Sequence, residues 1–152
     1  MRFTHFMTAV LVSLPLVAAV APRALAETRI QSDIAYRKDL MFAMDWNLVR
    51  IAQMVRHQRP LDRNRLAYEG RALAALGVLP WTAFVPGSDY GQTKAKPLIW
   101  QQGQAFQKAV LSFEAATRAL QAATAQGRLS AVAHPLEEVA RGCHSCHHRF
   151  MK

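Results

Sequence analysis

IQSDIAYRKDLMFAMDWNLVRIAQMV, residues 30–55, decides the fold. Its inward positions run Ile30, Ile34, Arg37, Met41, Met44, Leu48, Ile51 and Val55, spaced 4-3-4-3-4-3-4. A seam averaging about 3.5 residues belongs to an α-helix packed along its length against other helices. No proline or glycine interrupts residues 29–58. Roughly 28 residues at about 1.5 Å rise form a rod of about 42 Å. Arg37 is the one charged member of the seam, and an inward cation is costly without an anion or polar partners.

Downstream, Pro60 stops this helix and Asp62 can cap a second one. That helix passes through Leu66, Gly70, Leu73 and Leu76 and stops at Gly77. Residues 79–96, LPWTAFVPGSDYGQTKAK, carry two prolines, two glycines and no helical period, so they read as a loop. A loop of this length is ordered for a reason, and Trp81, Phe84 and Tyr90 can pin it to the bundle. Pro97 suits the first turn of a third helix. Its seam is Ile99, Gly103, Phe106, Val110, Phe113, Thr117, Leu120 and Thr124, ending at Gly127. The last helix presents Val132, Leu136, Val139, Cys143, Cys146 and Phe150, with Pro135 in its first turn or bending it. Four such segments and no strand-like alternation predict an all-α, antiparallel four-helix bundle.

Upstream, Arg2 precedes an almost wholly apolar run from 7 to 20, and Ala24-Leu25-Ala26 is a small-x-small cleavage site. Residues 1–26 read as a signal peptide and 27–152 as the mature bundle, exported to the periplasm. The apolar run is short for a bilayer span, and no later segment is long and apolar enough, so no membrane span is expected after cleavage. Loss of residues 1–26 removes Arg2 and Arg23 and no acid, so the formal charge falls from +9 to +7. The cations are scattered, with acids beside several of them and no interleaved aromatic run. That speaks against nucleic acid and for a basic surface open to acidic partners.

The chemistry lies in Cys143-His144-Ser145-Cys146-His147, which holds the chain's two cysteines. C-x-x-C-H is the attachment signature of haem c. Each thiol adds to a vinyl group, and the adjoining histidine ligates the iron. On a helix Cys143 and Cys146 are one turn apart and His147 follows Cys143 at i+4. The motif thus places the haem on the C-terminal helix. A thiol-redox pair would open a helix after a strand, a context missing here. A zinc site would draw a second ligand pair from elsewhere, for which only His57 and His134 remain.

Further residues make the chain resemble the cytochrome c′ family across residues 29–150. They are Tyr36-Arg37, Met41 and Trp46-Asn47 in the first helix, and the loop Phe84-Val85-Pro86-Gly87-Ser88-Asp89. Ala95-Lys96-Pro97-Leu98-Ile99-Trp100 at the third helix and the C-terminal motif complete the set. The resemblance implies one haem c near one end of the bundle, with His147 as proximal ligand. It places Met41 on the distal face and Arg37 near a propionate. Core filling by Met41 stays open, as does pairing of Arg37 with a carboxylate or with water. There are departures. Met151 stands where relatives carry a cation four after the haem histidine, and Asp45 where they carry glycine.

The functional expectations follow. The haem serves one-electron transfer with redox partner proteins, or binds small gases such as nitric oxide and carbon monoxide at five-coordinate iron, or both. In a six-coordinate alternative Met41 bonds the iron. No nucleophile–base constellation marks an enzyme with a defined substrate. The resemblance also implies a homodimer through the first two helices.

Overall fold

The computed structural model describes residues 21–152. The apolar run assigned to a signal peptide lies outside the described residues up to position 20. Helix α1 spans Ala21–Val55, so the expected cleavage point after Ala26 falls within its first turns. Helix α2 spans Arg63–Leu76 and a 3-10 turn spans Pro80–Ala83. Helix α3 is the short Leu98–Gln101, α4 is Gly103–Ala125 and α5 is Leu129–Phe150. Helix α1 packs on α2, α2 on α4, α4 on α5 and α5 back on α1, the closed square of a four-helix bundle. No strand occurs among the described residues; one isolated antiparallel bridge joins Ala95 to Met151. None of the described helices is long and apolar enough to cross a membrane.

The seams close as their spacing requires. Met44, Ile51 and Met54 of α1 meet Leu66 and Leu73 of α2, Phe113 and Leu120 of α4, and Val132, Leu136 and Val139 of α5. Two details of the first seam differ from expectation. Asn47 and Met54 are buried, whereas Leu48 and Val55 are only half-buried. The buried stripe is wider than a strict 3.5-residue seam because α1 contacts α2 on one flank and α5 on the other. Helix α1 also ends at Val55, three residues short of Gln58. His57 takes a left-handed φ of 56° and Pro60 disfavours helix at the residue before it.

Helix α2 begins as read from the sequence: the Asp62 carboxylate accepts the Arg65 N–H at 3.0 Å. The third helix is corrected. It is not continuous from Pro97 but breaks at Gln102, where φ is −120° and ψ is 49°. Gly103, with open space where a side chain would project, follows at once and lowers the cost of the break. The break lets α3 lean over the loop, where the Trp100 indole N–H donates to the Phe84 carbonyl at 3.1 Å. Of the two readings of Pro135, the first-turn one is excluded: it lies inside α5, past the first turn, and leaves the Ala131 carbonyl without its i+4 donor.

Glu69, on α2, was not singled out by its spacing. Its side chain is 1% exposed; Arg65 donates to it at 2.6 Å and Arg50 of α1 pairs at 3.6 Å. Its second oxygen has no hydrogen-bond partner.

Candidate functional site

The C-x-x-C-H motif occupies the end of α5. Cys143 and Cys146 are half-buried free thiols. Cys143 packs against the main core beside Phe113 and Val139. Cys146 packs against a second cluster of Ala95, Ile99 and Phe150. His147 comes one residue later and opens into the interior between them.

Two neighbouring cavities meet at this point. The larger, about 530 Å³, is lined by Arg37, Met41, Trp81, Phe84, Phe106, Cys146, His147 and Met151, among others. The smaller, about 210 Å³, is lined by Met41, Met44, Trp81, Phe113, Cys143, Cys146 and His147, with Asp45 at its edge. Met41, Trp81, Cys146 and His147 belong to both. The walls are therefore aromatic and aliphatic, both thiols and the imidazole face inward, and Met41 faces them from α1. Among the described residues no group of three or more His, Cys, Asp or Glu side chains converges as a metal site, so the zinc alternative finds no ligand set.

The surroundings tune these groups. Burial, then Cys146 and Asp45, push the Cys143 thiol up to about 11, and burial raises Cys146 as well. Both are therefore thiols rather than thiolates at neutral pH, unlike a redox-active pair. A good part of the His147 surface is open to the cavity. Even so, loss of solvent around the ring, and then His144, hold its pKa below the usual value. A neutral imidazole keeps the lone pair that an axial ligand uses.

The loop of residues 84–97 closes the larger cavity, and Arg37 holds it. Arg37 is 3% exposed. It donates to the Ala83 carbonyl at 3.0 Å, the Ser88 hydroxyl and carbonyl each at 2.6 Å, and the Thr93 hydroxyl at 2.8 Å. It also lies over the Phe84 ring at 4.6 Å. Neither a direct carboxylate pair nor the snorkelling geometry is found: the hydrogen-bond partners of this buried cation among the described residues are all neutral, and Asp33 and Asp89 offset part of its desolvation only through their charge. All three expected aromatic pins tie the loop to the bundle, two by packing and Tyr90 by a hydrogen bond to α1. Trp81 lies edge-on to Phe106 and Phe113, and Phe84 packs against Phe106. Tyr90 is instead exposed and donates its hydroxyl to Glu27.

The C-terminus is fixed to the same loop. The Lys96 N–H donates to the Phe150 carbonyl at 2.9 Å and the Lys152 N–H to the Lys94 carbonyl at 2.8 Å. Met151 itself is extended, and its N–H caps the helix on the His147 carbonyl at 3.0 Å.

The family profile described as Cytochrome C′ matches residues 32–151. The chain belongs to the cytochrome c′ family. The cytochrome c′ of Rubrivivax gelatinosus is 32% identical over 118 residues, covering 77% of this chain and 92% of that one. Its crystal structure superposes with a TM-score of 0.76 at 31% identity, covering 79% of this chain and 94% of that one. A variant of cytochrome c′ from Alcaligenes xylosoxidans with bound carbon monoxide also gives 0.76, at 28% identity and over 81% of this chain and 96% of that one. A cytochrome c-554 of Cereibacter sphaeroides is 28% identical over 126 residues, 80% of this chain and 94% of that one.

Membership makes the chain a haem c protein with one covalent haem. The residues present fit that group: apolar walls, two inward thiols, one neutral imidazole and a buried cation awaiting an anion. The sequence pointed to Arg37, Met41, Cys143, Cys146 and His147, and the fold brings all five to one cavity system. It missed Ser88 and Thr93, whose hydroxyls serve Arg37. The signal available was a charged seam residue with no opposite charge on the facing seams, which left loop hydroxyls as its remaining partners.

Proposed function

We propose that this chain holds its haem through thioethers from Cys143 and Cys146, with His147 on the iron. In this reading it works in the periplasm, after loss of residues 1–26, as a one-electron carrier, a receptor for nitric oxide or carbon monoxide, or both. It has no role as an enzyme. The observation that carries the reading is that both thiols and the imidazole line two adjoining apolar cavities that share Met41, Trp81, Cys146 and His147, with a buried Arg37 on the wall of the larger one. When bound, the haem would supply a one-electron couple and an iron able to take a small gas. The chain's part is to exclude water with Trp81, Phe84 and Phe106 and to offer Arg37 to a propionate. Met41 crowds the distal face.

The attachment is tested by acid–acetone extraction of protein made in a periplasm with cytochrome maturation. Haem is expected to stay with the polypeptide, and to be lost from the Cys143→Ser/Cys146→Ser double variant. Extraction from the unmutated protein would sink the proposal.

A homodimer through α1 and α2 belongs to the same reading. Its support is an outward aromatic face: Phe42 and Trp46, 68% and 51% exposed, with Val49 beside them and Tyr68 on α2. Arg50 stacks on Trp46 at 3.7 Å and Arg65 on Tyr68 at 5.2 Å, and both arginines reach Glu69 between the helices. Sedimentation should give a dimer for the wild type and a monomer for Trp46→Glu.

A further inference from the structure

The end of α5 carries His144, His147 and His148. Of these His147 lines both cavities, whereas His144 and His148 line neither and are exposed. At i and i+4 the two share one face of the helix. Their ring centroids lie 6.3 Å apart, with the rings tilted by 31°. Neither side chain makes a hydrogen bond or an ion pair among the described residues, whereas His134 lies 3.8 Å from Glu138. The turn that bears the pair is fixed. Cys143 packs into the main core and Cys146 into the second cluster, and the Phe150 carbonyl is held by the Lys96 N–H. Two imidazoles therefore stand side by side on a rigid base, outside the haem cavities, with their ring nitrogens unspent.

Histidines at i and i+4 on one helix face can chelate a single metal ion. Rotation about the exposed side-chain torsions turns both rings onto it. The donor set selects the ion: imidazole nitrogen suits copper, nickel and zinc, whereas calcium and magnesium take oxygen. The neighbours sharpen that choice. Arg141 precedes His144 by three residues, Arg149 follows His148, and the Lys96 ammonium lies 3.4 Å from the His148 carbonyl. These cations repel an ion held by charge alone and leave one held by strong metal–nitrogen bonds. The C-terminal end of the helix dipole offsets part of the repulsion. We propose that His144 and His148 form a surface site for a divalent transition-metal ion, copper(II) foremost, with water completing its coordination. Two protein donors make it an open, exchangeable site, separate from a zinc centre built on the cysteines. His144 is close enough to His147 to act on its ring through charge. An ion bound at the pair therefore favours the less positive, reduced iron and raises its potential. That consequence rests on the haem reading above; the binding itself does not.

The test titrates untagged ferric holoprotein with copper(II) chloride in a calorimeter. One copper per chain is expected, with an electron paramagnetic resonance signal that shows nitrogen donors. Each donor acts through its partner's hold on the ion, so His144→Ala and His148→Ala should each lose about tenfold or more in affinity. His134→Ala should lose none. His148→Ala/Arg149→His keeps the number of histidines but moves one to i+5, off the shared face, and should not restore binding. Copper bound equally by the wild type and both single variants would overturn the site. So would a loss confined to one of them, or a rescue by the relocated histidine. Zinc chloride, which is redox-silent, should at saturation raise the reduction potential of the wild type and leave that of His144→Ala/His148→Ala unmoved. Chelation without that shift would keep the metal site and overturn its link to the iron.

Discussion

Arg37 and Ser88, 51 residues apart in sequence, are joined twice: one guanidinium nitrogen donates to the serine hydroxyl and another to its carbonyl, each at 2.6 Å. With Ala83 and Thr93 added, all four terminal N–H groups are spent on the loop. Only the Nε–H and the charge remain for an anion in the cavity. Arg37 is thus a clamp as much as an electrostatic partner.

Arg37→Leu should therefore do more than remove a charge. It would leave the Ser88 carbonyl buried without its donor, a loss of about 1–3 kcal/mol, and free the loop of residues 84–93. The expected result is a shifted reduction potential together with faster proteolysis in that loop. Arg50→Leu, whose partner Glu69 keeps Arg65, should change neither as much. Arg37→Lys keeps the charge but cannot span two acceptors in a fork. It should hold the potential near wild type and still loosen the loop. Equal effects of Arg37→Leu and Arg50→Leu on both readouts would remove any special role for Arg37.

Helix α2 meets α4 at Gly70. A Cβ built there would lie 2.0 Å from the Thr124 hydroxyl and 2.9 Å from its Cβ. The second atom cannot rotate away, so Gly70→Ala should cost about 1–3 kcal/mol as overpacking. Thr124→Ala removes the closest contact and leaves the other. The double variant should recover part of the loss, a coupling that denaturant midpoints would measure. If Gly70→Ala unfolds at the wild-type midpoint, the close approach of α2 and α4 is not a constraint.

How far the sequence carried follows from where periodicity ends. The 3.5-residue seams placed four helices, and the five-residue motif placed thiols and imidazole on the last of them, because both are local patterns. The break at Gln102 was not legible: a glycine inside a good seam is compatible with a continuous helix, and only the pull of Trp100 on the Phe84 carbonyl favours the break. Arg37 was legible as an anomaly, but its partners were not. They are loop hydroxyls and carbonyls with no periodic signature. Glu69 escaped for a related reason. Its charge reads as a solvated helix face until Arg50, on another helix, is seen to pack over it.

Residues four apart on a helix share a face, which would set Met151 beside His147. The tail is bridged to Ala95, and α5 ends one residue before Met151. The side chain nevertheless lines the larger cavity with His147. A thioether there offers no hydrogen-bond donor, whereas an arginine would offer five. Met151→Arg should therefore change the rate constant for nitric oxide binding to the ferrous protein in stopped flow, and Met151→Leu should leave it near wild type. An unchanged rate in the arginine variant would mean that position 151 does not influence the iron's surroundings.

The sixth coordination position turns on Met41. Its sulfur is a competent ligand, and His/Met pairs serve many electron-transfer cytochromes. Against bonding, Met41 sits mid-helix in a regular seam. It is packed against the main core and lines both cavities, so it fills space whether or not it bonds. Five-coordinate iron with a crowded distal face is the expected state. The reduced protein should show a single broad visible band and bind carbon monoxide slowly. Met41→Ala should relieve a clash of about 1–2 kcal/mol and so speed that binding by roughly tenfold. Sharp, split reduced bands in the wild type, lost in Met41→Ala, would instead make Met41 a ligand and the protein chiefly an electron carrier.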